Sequence, residues 1–183
     1  MKLLLIRHGE TKENKSGIIL GHEGGELSQA GVESVKRLSR QLRQRAINKV
    51  YCSDLKRCTD TADILFKDRK LDINLRPGLR EINFGDFQGK PHSAIPENYL
   101  DSPDKKFPNG ESNFDFIKRV IDTINIIFQN NQTHTVAIIC HSGTISAINA
   151  ANKKNSFSEE LKNKAEQSIV YEITMKMRLS YPA

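Results

Sequence analysis

Short apolar runs alternate along the chain with longer stretches in which apolar residues return every three or four positions. The run Leu3-Leu4-Leu5-Ile6 is too dense for a half-exposed strand and too short for a helix, and it stops at Arg7-His8-Gly9. It predicts a strand buried on both faces. Ser28 is placed to cap a helix in which Val32, Val35, Leu38 and Leu42 share a face. Lys36, Arg37, Arg40, Arg43 and Arg45 fall largely on the opposite side, as a solvated face does. Residues 49–52 read as a second strand, ending at Ser53-Asp54. Asp54 is expected to cap a helix to about residue 66, with Leu55, Cys58, Ala62 and Leu65 turned inward. Residues 71–75 are a third candidate strand. Ser112 and Asp115 have capping-box spacing, and Ile117, Val120, Ile121, Ile124 and Phe128 carry the stripe of the helix that follows. Residues 135–140 are the most β-like run in the chain and end at His141-Ser142-Gly143, with a helix expected from Ser142. A short helix after Ser156 and a strand over 169–174 complete the series.

Strands that alternate with helices imply a mostly parallel sheet covered on both sides, an α/β fold built as a three-layer α/β/α sandwich. The chain's 183 residues suit one domain, 1–183. The rhythm breaks between Gly89 and Gly110, where no period is visible and four of the six prolines fall: Pro91, Pro96, Pro103 and Pro108. An irregular stretch of this length in a compact domain is expected to be a short lid or binding loop, around 89–111. The longest apolar stretches run four or five residues, against the roughly 20 a membrane span needs. The apolar run after Lys2 is also too short for a signal-peptide core. Three cysteines, Cys52, Cys58 and Cys140, are an odd number with no CxxC pair, which argues against a disulfide framework or a thiolate zinc site. The expected location is cytoplasmic.

Lysine and arginine outnumber aspartate and glutamate 28 to 22, for a formal net charge of +6. That favours anionic partners without choosing between nucleic acid and small phosphates. The strand ends choose. Ligands of open α/β sheets bind beyond the carboxyl ends of the strands, and three predicted strands end in Arg7-His8-Gly9, in Ser53-Asp54 with Arg57 one turn later, and in His141-Ser142-Gly143. Parallel strands would bring two histidines and two arginines to one edge. Arginine forks match phosphate geometry, and a neutral imidazole nitrogen is a competent nucleophile toward phosphorus. A helix starting near Ser142 would add backbone donors for a phosphate. An acid is also needed for the departing oxygen, and Glu81 is one candidate among many on spacing alone.

Five ordered motifs sharpen this. Residues 5–11, Leu-Ile-Arg-His-Gly-Glu-Thr with Asn14, resemble the opening signature of the histidine phosphatase superfamily, whose fold is called phosphoglycerate mutase-like. Ser53-Asp54-Leu55-Lys56-Arg57-Cys58 resembles its second motif, residues 79–89 its acid-bearing loop, Pro108-Asn109-Gly110-Glu111-Ser112 the start of its next helix, and Cys140-His141-Ser142-Gly143 its second histidine. The resemblance implies that His8 is the nucleophile and forms a phosphohistidine. Arg7, Arg57 and His141 would clamp the phosphoryl group, and Asn14 would add a contact. Glu81 would protonate the leaving alcohol and then activate water. No metal and no cofactor are implied. Gly21 and Ser142 are further candidates for substrate contact, although the Ser142 hydroxyl better suits a helix cap. The segment from Gly21 to Ser28 departs from the family's usual sequence, which ends in an Asp and a Pro before Leu-Ser.

The expected function is metal-independent hydrolysis of a small phosphorylated metabolite such as α-ribazole phosphate or a sugar phosphate. Phosphoglycerate mutase-type transfer is the alternative, disfavoured by the short lid and the phosphatase-like acid loop. A basic, non-catalytic binding protein is the second alternative. Its Arg-rich helix lacks the interleaved aromatics of a nucleic-acid platform, so neither nucleic acid nor membrane is expected as a partner.

Overall fold

A computed structural model of the protein describes residues 1–99 and 102–182; Leu100 and Asp101, within the expected lid, and Ala183 lie outside the described residues. In chain order the elements are β1 (Lys2–Arg7), α1 (Lys12–Lys15), α2 (Gln29–Leu42), β2 (Lys49–Cys52), α3 (Lys56–Phe66), β3 (Ile73–Leu75), α4 (Asn113–Gln129), β4 (Thr135–Cys140), α5 (Ser142–Lys153), α6 (Phe157–Lys162) and β5 (Val170–Thr174). Single 3-10 turns punctuate the stretch from β3 to α4. The strands form one sheet in the order β3-β2-β4-β1-β5. β1, β2, β3 and β4 run parallel, and β5 lies antiparallel against β1.

Successive strand side chains point to opposite faces, and the sheet uses both. Leu3, Leu5, Val136 and Ile138 meet Phe116, Val120 and Ile124 of α4 and Ile148 of α5. Leu4, Ile6, Val50, Ala137 and Ile139 meet Val35 and Leu38 of α2 and Cys58, Ala62 and Leu65 of α3. No side chain from Leu3 to Ile6 is more than 1% exposed, which is why β1 shows no alternation in sequence. The molecule is the expected mostly parallel three-layer α/β/α sandwich. All three cysteines are unpaired and buried. No helix among the described residues is long and apolar enough to cross a membrane.

Ser28, Ser112 and Ser156 cap α2, α4 and α6, accepting from the amides of Gly31, Asp115 and Glu159. Two expected caps are corrected. The N-cap of α3 is Leu55, without a side-chain bond, because Asp54 is instead engaged by Arg80. The N-cap of α5 is His141, whose backbone is still extended, so Ser142 is the first helical residue and not the cap. The third and last strands are also shorter than expected, starting at Ile73 and Val170.

Register sets the edge that matters. Arg7 sits opposite Cys140 and Cys52 opposite Ile139. The next residues, His8, His141 and Ser53, therefore emerge side by side from neighbouring strands. The His8 amide donates to the Cys140 carbonyl at 3.0 Å and the Ser53 amide to the Ile139 carbonyl at 2.9 Å, extending both ladders by one residue. Among its described residues the irregular stretch is anchored by an aromatic cluster. Phe107 is buried, stacks on Tyr99 with centroids 5.0 Å apart, and meets Phe84 edge-on. Its first residues are tied to the loop after α1 by Ile19 N–H to Lys90 O and His92 N–H to Gly17 O.

Candidate active site

His8 and His141 stand edge to face, ring centroids 5.2 Å apart. Both are buried. His8 Nδ1 lies 2.8 Å from the Gly9 carbonyl oxygen. A carbonyl can only accept, so Nδ1 carries the hydrogen and Nε2 keeps its lone pair. Burial, with Arg57 and then Arg7 nearby, holds the His8 pKa well below its ordinary value. His141 is pushed down in the same way, by burial first and then by Arg57 and His8. Ser53 Oγ, 2.8 Å from His141 Nε2, fixes the orientation of the second ring. The Cys58 thiol lies 3.5 Å from the same nitrogen, and burial raises its pKa to about 12, so it stays a thiol at neutral pH.

Arg57 is 1% exposed, a rare place for a guanidinium. Its Nη1 donates to Glu23 O at 2.8 Å and its Nη2 to Gly21 O at 2.7 Å. Gly21 has φ +53°, and a Cβ there would lie 2.2 Å from Gln88 Oε1. Glycine thus lets this loop turn its carbonyl onto Arg57. Arg7 Nη1 donates to Ala165 O at 2.8 Å. The Nε atoms of both arginines are buried with no hydrogen-bond partner among the described residues.

Glu81 closes another side. Its Oε2 accepts from the Gly143 amide at 3.1 Å and its Oε1 from the Ile82 amide at 3.1 Å. The carboxyl therefore sits on the N-terminus of α5, where free amides and the helix dipole favour it. The loop that carries it is clasped from behind. Arg119 Nη1 donates to the carbonyls of Gly78 and Arg80, and its Nη2 to the Glu81 carbonyl and to Glu111 Oε1. Glu111 Oε1 also accepts from the Asn83 amide at 2.8 Å. His22 Nε2 approaches the Glu81 carbonyl at 2.9 Å. An unprotonated ring nitrogen, two arginines with unmet N–H donors and a carboxyl on a helix terminus can together take up a phosphoryl group and move a proton. Among the described residues no three His, Cys, Asp or Glu side chains gather as metal ligands would.

The sequence profile of the histidine phosphatase superfamily (branch 1) matches residues 3–176. This chain belongs to that superfamily. Named relatives of this histidine phosphatase include the adenosylcobalamin/α-ribazole phosphatase of Escherichia coli, 32% identical over 81% of the chain and 77% of that protein. A broad-specificity phosphatase of Saccharomyces cerevisiae is 32% identical over 81% of the chain and 68% of that protein. The fold agrees: a crystal structure described as an α-ribazole-5′-P phosphatase from E. coli superposes with TM-score 0.88 at 26% identity, covering 100% of this chain and 95% of the other. Family and relatives make the protein a phosphoric monoester hydrolase whose substrate is a small phosphorylated molecule.

In this phosphatase the structure brings His8, Arg7, Arg57, His141 and Glu81 to one edge of the sheet. Asn14 lies in the single turn of α1, where Thr11 and Asn14 cap each other, and accepts from Gln167 Nε2. Gly21 lends its carbonyl to Arg57. Ser142 is half-buried at the first turn of α5, and its hydroxyl makes no hydrogen bond among the described residues. Arg80 pairs in a two-pronged contact with Asp54 at the rim. The sequence motifs assign no role to Ser53, Glu111 or Arg119, although Ser53 and Glu111 lie inside them, and no motif marks Gln167.

Proposed function

We propose that this phosphatase hydrolyses a small phosphorylated metabolite through a phosphohistidine on His8, without a metal. His8 Nε2 attacks phosphorus as the P–O bond to the alcohol breaks, and Glu81 gives its proton to the departing oxygen. Water, deprotonated by Glu81, then breaks the P–N bond and releases phosphate and free His8. Arg7, Arg57, His141 and Asn14 hold the three equatorial oxygens, where charge must be stabilised throughout. The observation that carries this reading is the neutral His8 ring, its Nε2 lone pair free, set among two arginines whose buried Nε–H groups lack acceptors. A buried donor without a partner costs about 1–3 kcal/mol, and a phosphoryl group beside His8 would bring acceptor oxygens and negative charge to this pair of guanidinium groups.

The α-ribazole phosphatase relatives support a phosphorylated riboside or sugar as the leaving side. In this reading residues 1–183 act as one domain, 89–111 are its lid, and the cytoplasm is its compartment. The test is p-nitrophenyl phosphate hydrolysis in excess EDTA, wild type beside His8→Ala, with acid-quenched protein checked for an acid-labile phosphoryl adduct. Expected are full wild-type activity in EDTA, an adduct on His8, and neither in the variant. Turnover retained by His8→Ala would remove the nucleophile assignment. Adduct without turnover would favour mutase-type transfer.

A further inference from the structure

We propose that Gln167 is a positioning residue of the phosphoryl site: it holds the Asn14 amide so that its NH2 group, not its oxygen, is offered to the substrate. The inference rests on the assignment of Asn14 as a phosphate contact under the reading above.

Residues 163–169 link α6 to β5 and cross the carboxyl edge of the sheet. Three contacts pin them there. Arg7 Nη1 donates to the Ala165 carbonyl at 2.8 Å. The Ser168 amide approaches the Arg7 carbonyl at 3.4 Å. Gln167 Nε2 donates to Asn14 Oδ1 at 2.8 Å. Arg7 and Asn14 are thus held by residues two apart in the same link. Ser168 itself has φ +56°, a left-handed conformation that a non-glycine residue keeps only where its surroundings enforce it. Ser34 Oγ, 2.9 Å from Ser168 Oγ, is one such restraint.

A primary amide has two ends, and donors at one end decide what the other presents. Asn14 Oδ1 also faces the Thr11 amide, but at 3.4 Å, near the limit of a hydrogen bond. The shorter contact from Gln167 therefore sets the flip. Asn14 Nδ2 makes no hydrogen bond to the described residues, so it is left as a donor. Inverted, the side chain would set an oxygen against phosphate oxygens.

Gln167→Glu keeps size and turns the donor into an acceptor, so Asn14 must rotate to meet it. The readout is competitive inhibition by inorganic phosphate, beside KM for p-nitrophenyl phosphate and thermal stability. Gln167→Glu should weaken phosphate inhibition about tenfold or more, the scale of one lost charge-assisted hydrogen bond. Gln167→Met, which only frees the amide, should weaken it by roughly two- to fivefold, and both variants should melt near wild type. On an Asn14→Ala background the penalty of Gln167→Glu should vanish. An undiminished penalty there would mean that the new carboxylate repels phosphate directly, and wild-type inhibition in both single variants would equally overturn the proposal. Should Asn14→Ala itself leave phosphate inhibition unchanged, the assignment of Asn14 fails and this role fails with it. Should Asn14→Ala weaken inhibition while neither Gln167 variant does, only the role of Gln167 fails.

Discussion

The site depends on where single hydrogens and single carbons sit. One hydrogen on His8 Nδ1, held by the Gly9 carbonyl, leaves the free lone pair on Nε2. One missing carbon does as much for the Glu81 carboxyl. A Cβ on Gly143 would lie 2.3 Å from Glu81 Oε1, so the carboxyl can rest on the start of α5 only because residue 143 has no side chain. Gly143→Ala should therefore displace Glu81 while leaving α5 intact, since alanine is the better helix former. Its kcat should fall by roughly 10²-fold on an alkyl phosphate, the low end of what a general acid contributes, and much less on p-nitrophenyl phosphate, whose leaving group needs little protonation. Glu81→Ala should give the same pattern. Equal losses on both substrates, in either variant, would mean that Glu81 is not the acid.

Elements carry these residues to each other, and the acid loop shows how. Residues 77–83 have little regular structure, yet α4 holds them through one side chain: Arg119 gathers the Gly78, Arg80 and Glu81 carbonyls and is itself paired with Glu111. Both partners are largely buried. Arg119→Ala would leave the Glu111 carboxylate without its arginine and take one donor from each of three carbonyls, the Glu81 carbonyl keeping His22 and the Arg80 carbonyl Thr144. The expected loss of stability is about 2–3 kcal/mol, read by urea unfolding, with kcat falling more than KM rises. A variant as stable as wild type would mean that the loop holds itself. This clasp was not legible in the sequence, whereas the edge that carries His8 and His141 was. His8 and His141 each follow an apolar run dense enough to be read as a buried strand, and parallel strands must bring their ends together. Ser28 and Ser112 were readable as caps because a cap acts on amides two or three residues away. Asp54 had the same spacing and does something else, because Arg80, 26 residues on, competes for it. Gln167 and Asn14 are 153 residues apart. No local period or motif encodes such a contact; it exists only once β5 has folded back beside β1.

At the scale of the whole molecule, the site is a charge problem that folding must solve. Two imidazoles are buried next to Arg57 in a chain of net charge +6, and both have pKa values well below the ordinary 6.5, from burial first and the arginine second. In the unfolded chain the same rings take up protons as pH falls below about 6.5. The unfolded state then binds more protons than the folded one, so stability falls with pH through this window until the folded rings protonate in turn. Each ring contributes a slope of about 1.4 kcal/mol per pH unit, or roughly 3–5 °C of melting temperature for a domain this size. Between pH 6.5 and 5.5, in a buffer free of phosphate, the two together should lower the melting point by several degrees. Carboxylates such as Asp54, held low by Arg80, add their loss only at more acid pH. His22 and His92 shift in the same direction, but His22 is only partly buried and His92 is exposed, so solvent screens them and their share is small. His8→Ala should remove about half of the slope whatever it does to the melting point itself. A slope unchanged in that variant would mean that His8 titrates as freely in the folded protein as outside it, and a ring that charges at pH 6 cannot serve as the neutral nucleophile there.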